Sequence, residues 1–253
     1  MKLHEDEVDI DVTIVRTLLQ EQYPLYLSEK LTFFESMGTD NVMFSLGEDK
    51  LIRLPRVEGA VNSLKKEAKW LSVLRRNLKV PIPKVLFEGK PSDSYPFPWL
   101  VISKLEGAEI SNENPIASSK TSRSLADFIF DLRLAPTKKG PLCSRGLPLA
   151  KRDKAVRESI LLLEGSYDTK LLTDLWEDSL KASAWQNEPL WLHGDLHKGN
   201  LLAKDSEISA ILDFGLSGIG DPSCDLMAAW TVLEAKSRRE FFSFLSADDN
   251  SIR

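Results

Sequence analysis

The segment HGDLHKGN, residues 193–200, is followed further along the chain by DFG at residues 213–215. Asp195 precedes Asn200 by five residues, and Asp213 follows Asn200 by thirteen. In that order one carboxylate can accept the proton of an attacking hydroxyl, while an amide oxygen and a second carboxylate hold a Mg²⁺ ion on nucleotide phosphates. The spacing therefore predicts phosphoryl transfer, with Asp195 as the general base and Asn200 and Asp213 as metal ligands.

Apolar segments frame both motifs. Residues 190–192 precede the first motif, residues 201–203 follow it, and residues 208–212 lead into the second. Short apolar runs that are bounded by turn residues are typical of buried strands. The polar residues are then expected at strand ends, where a substrate can reach them.

A second interpretation of the same segment is a metal site. His193, Asp195 and His197 alternate along the chain and could be zinc or iron ligands of a hydrolase. The chain has three histidines in all and no second histidine cluster. This alternative predicts a tightly bound transition metal in the purified protein.

Size and composition narrow the class of protein. The 253 residues allow one or two domains. The net charge of −5 argues against a nucleic acid or an anionic membrane as partner. No apolar run reaches the ~20 residues of a membrane span, and the acidic N-terminus lacks an apolar signal core. Two distant cysteines, Cys143 and Cys224, predict free thiols, so we expect a cytoplasmic protein.

The N-terminal part of the sequence has the pattern of an antiparallel sheet followed by a helix. Strands are predicted at residues 31–37, 42–46 and 50–54, with turns at residues 38–41 and 47–49. Pro55 ends the third strand because proline lacks a ladder donor. A helix is predicted at residues 59–78.

At this point the sequence resembles a known family. The segments WLHGDLHKGNLL and ILDFGLSGIGDPSCDLMAAW look like those of aminoglycoside and macrolide phosphotransferases, antibiotic kinases with a protein-kinase-like fold. Gly194 stands where a protein kinase has Arg, and Asp221, Pro222 and Asp225 also match the family. The resemblance is most specific over residues 191–230 and continues more loosely back to about residue 30.

The resemblance implies an α+β, bilobal fold. The nucleotide-binding N-lobe, with a small antiparallel sheet, is expected at residues 1–106. A mainly helical C-lobe for catalysis and acceptor binding is expected at residues 107–253. Family members usually continue further, so the C-lobe is expected to be shortened at the C-terminus. The alternative is therefore a nucleotide-binding, kinase-like protein with little or no transferase activity.

The third strand and the helix offer a predicted ion pair. Arg53 stands where kinases carry a lysine that binds phosphates, and the family has Lys or Arg in this position. Glu67 lies within the apolar arc of the helix, and a carboxylate aimed at the core needs a cationic partner. Arg53 is the expected partner, although Lys66 or Lys69 could pair with Glu67 at the surface.

Two further segments are expected to contact the phosphate donor, ATP or GTP. The turn at Gly38 could cover the phosphates with its backbone amides, although a single glycine is more often part of an ordinary hairpin. Residues 97–102 predict an apolar strand that breaks at Ser103. The resemblance implies a hinge here, with backbone groups of Ser103, Lys104 and Leu105 near the purine. The implied acceptor is a hydroxyl of an aminoglycoside, macrolide, other natural product or metabolite.

The C-terminal segment predicts two helices. Asp221, Pro222 and Asp225 are expected to anchor the loop after the metal site and to cap a helix at residues 225–233, with Asp225 near its N-terminus. A second helix at residues 238–245 carries Phe241, Phe242 and Phe244. Because little sequence follows, we expect these rings to form an exposed apolar patch that could support a homodimer.

Overall fold

The chain folds into two compact units. A computed structural model describes residues 7–35, 40–110, 116 and 118–245, without the side chains of residues 118 and 119. The first unit consists of Met1–Ala117 together with His197–Gly215, and the second of Ser118–Leu196 together with Leu216–Arg253.

The described residues form α-helices and short β-strands. The helices are α1 (Val12–Gln22), α2 (Val61–Leu74), α3 (Ser118–Arg133), α4 (Asp153–Leu161), α5 (Thr169–Ser179), α6 (Ala228–Thr231) and α7 (Ala235–Leu245). The strands are β1 (Leu31–Phe34), β2 (Asn41–Leu46), β3 (Lys50–Pro55), β4 (Val85–Gly89), β5 (Trp99–Ser103), β6 (Ala108–Glu109), β7 (Leu190–Leu192), β8 (Leu201–Lys204), β9 (Glu207–Ile211) and β10 (Gly218–Gly220).

The first unit is built on a five-stranded antiparallel sheet in the order β1-β2-β3-β5-β4. Alternate residues of β2 are buried, as the period of a half-buried strand requires. Val42, Phe44 and Leu46 share one core with Leu18 and Leu19 of α1. The predicted strands and helix are present with shifted ends, because β1 ends at Phe34 and α2 begins only after a 3₁₀ turn at Glu58–Ala60.

A second, three-stranded sheet also belongs to the first unit. The hairpin of β8 and β9 extends to β6, where Ala108 pairs with Ala203 and Glu109 with Leu202. This pairing groups residues 197–215 with the N-terminal part of the chain. The two compact units are therefore not separated by a single boundary between residues 106 and 107, because residues 197–215 belong to the first unit.

The second unit combines helices with the pair of β7 and β10. The two strands run antiparallel, with Leu192 opposite Gly218. Helix α3 packs against β7 and α7, and buries Leu125, Phe128, Ile129 and Leu132 at helical spacing. Within the described residues, no helix combines the length and hydropathy that crossing a membrane requires.

The apolar face of α7 differs from the sequence expectation. The helix was predicted to expose its phenylalanines, but Phe241 is fully buried because α7 packs against α3. Phe244 is 37% exposed. The Cζ atom of Arg123 lies over the Phe244 ring, 4.7 Å from the ring centroid. Trp230 is the other large exposed ring nearby in sequence. The expected apolar patch is thus reduced to these residues, and dimerisation stays a prediction.

Candidate active site

The two predicted metal ligands lie at the same end of the hairpin of β8 and β9. Leu201 and Ile211 are its last paired residues, and one step further the amide of Leu212 donates to the carbonyl of Asn200 over 2.8 Å. Asp213 follows directly. The Asn200 side chain is buried, whereas that of Asp213 is 46% exposed. The hairpin thus brings an amide and an accessible carboxylate to one edge, as the spacing of the motifs predicts.

The backbone at Asp213 has an unusual conformation. Its φ angle of 57° lies in the left-handed region, which aspartate visits more readily than most residues. The Oδ1 atom of Asp213 accepts a hydrogen bond from the amide of Gly215 over 3.2 Å. A Cβ atom on Gly215 would lie 3.0 Å from the Cβ of Ser63 in α2. Glycine therefore allows the turn after Asp213 to lie close against α2.

Arg53 and Glu67 form the ion pair predicted from the sequence. The Nη1 atom of Arg53 lies 2.5 Å from Oε2 of Glu67, and its Nη2 atom lies 3.6 Å from Oδ1 of Asp213. The other oxygen of Glu67 accepts the amide of Phe214 over 2.8 Å. Glu67 therefore links α2 to the DFG segment, a contact that sequence spacing does not reveal.

Burial sets the ionisation of this network. Burial raises the pKa of the Glu67 carboxyl, and the neighbouring Arg53 guanidinium opposes that rise. Burial also acts to lower the pKa of Arg53, but Glu67 and Asp213 more than offset it, so that pKa is raised. Arg53 therefore stays charged, and a buried cation requires the carboxylates that surround it.

The predicted hinge residues differ in what their amides can bind. The Ser103 amide donates to the carbonyl of Lys84, and the Lys104 amide donates to the carbonyl of Asp49, over 2.9 and 2.8 Å. The Ser103 hydroxyl accepts from the amide of Lys84. In the described part of the chain, the amide of Leu105 donates no hydrogen bond. Of these three amides, only that of Leu105 remains to donate to a base. The predicted contact at Gly38 lies outside the described residues.

Asp195 lies in the second unit, in the turn that follows β7. Both amides before it donate to Asp225: the His193 amide over 2.7 Å and the Gly194 amide over 2.8 Å. The Asp195 amide donates to Nδ1 of His193 over 3.2 Å. Arg145 donates from Nη1 to Oδ1 of Asp195 and, over 3.0 Å, to the carbonyl of Gly194. Hydrogen bonds on several sides therefore fix this turn.

Asp225 has a different role from the one predicted. It does not cap a helix at residues 225–233. The cap of the 3₁₀ turn Pro222–Met227 is Asp221, which accepts the amide of Ser223 over 2.9 Å. Asp225 is buried, and burial raises the pKa of its carboxyl, against nearby His193 and the backbone amides that lower it. Its role is to accept the amides of the turn that carries Asp195.

We expect Asp225→Ala to destabilise the protein by about 2–5 kcal/mol, because two buried amides lose their acceptor. The free energy of unfolding from urea denaturation measures this. Asp168→Ala is the matched control, since Asp168 caps α5 through one exposed contact with the Leu171 amide. Its loss should cost about 1 kcal/mol. Equal losses in the two variants would contradict the role of Asp225.

The alternative metal site is not supported by the positions of the histidines. His193 is fully buried and its Nδ1 accepts the Asp195 amide, while Nδ1 of His197 accepts the Gly199 amide over 3.1 Å. Across residues 7–35, 40–110, 116 and 118–245, no group of three or more His, Cys, Asp or Glu residues could hold a metal ion. Backbone amides thus occupy the Nδ1 atom of each of these two histidines.

Comparison with protein families identifies the class. The model of the phosphotransferase enzyme family (APH) matches residues 31–249. The chain belongs to this family. Family membership confirms the predicted enzyme class, a phosphotransferase. No curated protein sequence matches the chain closely enough to count as a relative.

Solved structures confirm the α+β, protein-kinase-like fold. The GDP complex of wild-type aminoglycoside 2'-phosphotransferase-IIIa has 20% identity and a TM-score of 0.76, with coverage of 95% of this chain and 85% of that one. The streptomycin–ATP complex of APH(2")-IIa has 17% identity and a TM-score of 0.64, with coverage of 95% and 84%. The apoenzyme of macrolide 2'-phosphotransferase MphH from Brachybacterium faecium has 22% identity and a TM-score of 0.66, with coverage of 91% and 82%.

Proposed function

We propose that the protein transfers the γ-phosphoryl group of ATP or GTP to a hydroxyl of a small molecule, an antibiotic such as an aminoglycoside or macrolide, or a related metabolite. The observation that carries the proposal is the network of Arg53, Glu67 and the DFG segment. A buried cation held beside an accessible carboxylate suits a site for nucleotide phosphates and their metal ion. The related structures hold GDP or ATP, which leaves both donors open.

Asn200 and Asp213 fit a magnesium ion. Both offer oxygen ligands, and Mg²⁺ usually takes one or two carboxylates together with phosphate oxygens and water. The side chain of Asp213 is accessible at the hairpin end, where Asn200 also lies. When bound there, the ion neutralises charge on the phosphates. Arg53 adds a guanidinium 3.6 Å from Asp213, which can donate to the same phosphate oxygens.

Asp195 acts on the acceptor. Its carboxylate takes the proton of the acceptor hydroxyl as the acceptor oxygen bonds to the γ-phosphorus. The bond from that phosphorus to the β–γ bridging oxygen breaks, and its electron pair leaves with the nucleoside diphosphate. The proton on Asp195 then passes to water.

We expect Arg53 and Glu67 to act as one unit in this reaction. Arg53→Ala and Glu67→Ala should each lower kcat/KM, and the double variant should cost less than the sum, with a coupling free energy of about 0.5–3 kcal/mol. Steady-state kinetics of the four proteins measure it. Lys69→Ala is the control, because Lys69 lies over the ring of Trp70 instead. Additive effects of Arg53 and Glu67 would show that their contact has no part in function.

An acceptor screen tests the proposal directly. Wild-type protein is incubated with Mg²⁺ and either ATP or GTP across aminoglycosides, macrolides and hydroxyl-bearing metabolites, and mass spectrometry detects phosphorylated acceptor. We expect product from the wild type, and product formation about 10²- to 10⁴-fold slower from Asp195→Asn. Nucleotide binding without a phosphorylated product from any acceptor would contradict the proposal and favour a nucleotide-binding protein without transferase activity.

A further inference from the structure

A cation from a distant part of the chain contacts the proposed base. Arg145 lies 50 residues before Asp195, in the 3₁₀ turn Ser144–Gly146. Its Nη1 atom donates both to Oδ1 of Asp195 and to the carbonyl of Gly194. The side chains are 34% and 21% exposed, so solvent screens this pair less than a surface ion pair. One guanidinium thus holds the carboxylate and the peptide group immediately before it.

The turn that carries Arg145 is anchored on both sides. The amide of Cys143 donates to the carbonyl of Ile219 over 3.0 Å, and the carbonyl of Gly146 accepts from the amide of Asp221 over 2.9 Å. Ile219 belongs to β10, the partner of β7, and β7 leads directly into the turn of Asp195. Arg145 is therefore fixed to the same strand pair that carries the base. A group held this way can position its partner with little loss of entropy.

Gly194 leaves room for that contact. Its φ angle of 80° lies in the left-handed region, and a Cβ atom there would lie 3.0 Å from Sγ of Cys143 and 3.1 Å from the carbonyl oxygen of Leu216. Any side chain at residue 194 would displace the turn that begins at Cys143. The glycine before Asp195 and the arginine that reaches Asp195 from the facing turn are thus two parts of one arrangement.

We infer that Arg145 is a positioning residue for Asp195. By holding Oδ1 and the Gly194 carbonyl together, it sets the rotation of the carboxylate that receives the acceptor proton. This inference rests on the proposed phosphoryl transfer. It differs from a purely structural role, in which loss of Arg145 would lower stability and affect every step alike.

The first test is the effect of Arg145→Met on turnover. We expect kcat to fall by about 30- to 100-fold, as for a base displaced by about 1 Å, with KM for the nucleotide within about twofold of wild type. Arg145→Lys should recover part of the loss, because a single ammonium can reach one of the two acceptors. Arg152→Met is the matched control: Arg152 is exposed, lies in the next 3₁₀ turn, and makes no ion pair among the described residues. It should keep wild-type kcat.

Two further readouts separate positioning from structural damage. Free guanidinium, at a concentration far below one that unfolds the protein, should raise kcat of Arg145→Ala severalfold, whereas sodium chloride at equal ionic strength should not. Arg145→Met added to Asp195→Asn should cause no further loss, since a residue that acts through Asp195 has no effect once the base is gone.

The outcomes distinguish this inference from the function on which it rests. A wild-type protein that phosphorylates no acceptor would overturn the proposed function. An active wild type in which Arg145→Met keeps kcat within threefold would overturn the inference alone. The inference would also be overturned if guanidinium did not restore kcat of Arg145→Ala and if Arg145→Met lowered kcat further in the Asp195→Asn background.

Discussion

Asp195→Asn should lower kcat by about 10²- to 10⁴-fold, the usual contribution of a general base, and should leave the affinity for magnesium-nucleotide nearly unchanged. The substitution keeps the size of the side chain and an oxygen that can accept from Arg145, so the hydrogen bonds of the turn survive. What is lost is the ability to take the acceptor proton, which matters in the transition state and not for binding. Steady-state kinetics give kcat, and calorimetry gives the dissociation constant of the nucleotide.

Asp174→Asn is the control for this substitution. Asp174 lies on the exposed side of α5 and pairs with Lys170 at 2.5 Å, so its neutralisation should leave kcat within about twofold, since surface ion pairs contribute little. If Asp195→Asn turned over at a rate close to that of the wild type, another group would have to accept the proton.

The parts of the site that could be predicted from sequence lie close together along the chain. Asn200 and Asp213 flank one hairpin, so their proximity follows from strand periodicity and a single turn. The pair of Arg53 and Glu67 was predictable because a buried carboxylate on an amphipathic helix must find a cation, and the adjacent strand supplies one.

The contacts that sequence reasoning missed depend on tertiary packing. Arg145 reaches Asp195 from 50 residues away, and no local pattern marks it among the other cations of its segment. Asp225 looked like a helix cap because it precedes a helical run. Its carboxylate oxygens instead accept from the amides of His193 and Gly194, 32 and 31 residues earlier. A signal was present at Gly194, because a glycine there lets the turn that begins at Cys143 and carries Arg145 lie close to the turn of Asp195.

The same limit explains the error at the surface and what the sequence leaves open at residues 103–105. Phe241 and Phe244 lie three residues apart on one helix, and Phe241 is buried where α7 packs against α3. The predicted break in the apolar strand agrees with the end of β5 at Ser103. Within the described residues, bonds to distant carbonyls occupy the amides of Ser103 and Lys104 but not that of Leu105, and such bonds have no sequence signature.

Asp213→Ala should weaken binding of magnesium-nucleotide by at least about 10- to 100-fold, since loss of a group that merely supports a metal ligand already costs that much. The carboxylate contributes a full charge to the ion, and its removal also takes away one of the two anions beside Arg53. Asn200→Ala should weaken binding less, because an amide oxygen contributes only a dipole.

Calorimetry with a non-hydrolysable ATP analogue measures both variants, with and without Mg²⁺. In the absence of Mg²⁺ the affinities of wild type and Asp213→Ala should converge, which separates metal binding from general damage to the site. An Asp213→Ala protein with wild-type affinity in the presence of Mg²⁺ would remove Asp213 from the metal site and leave the DFG segment with only the structural link to Glu67.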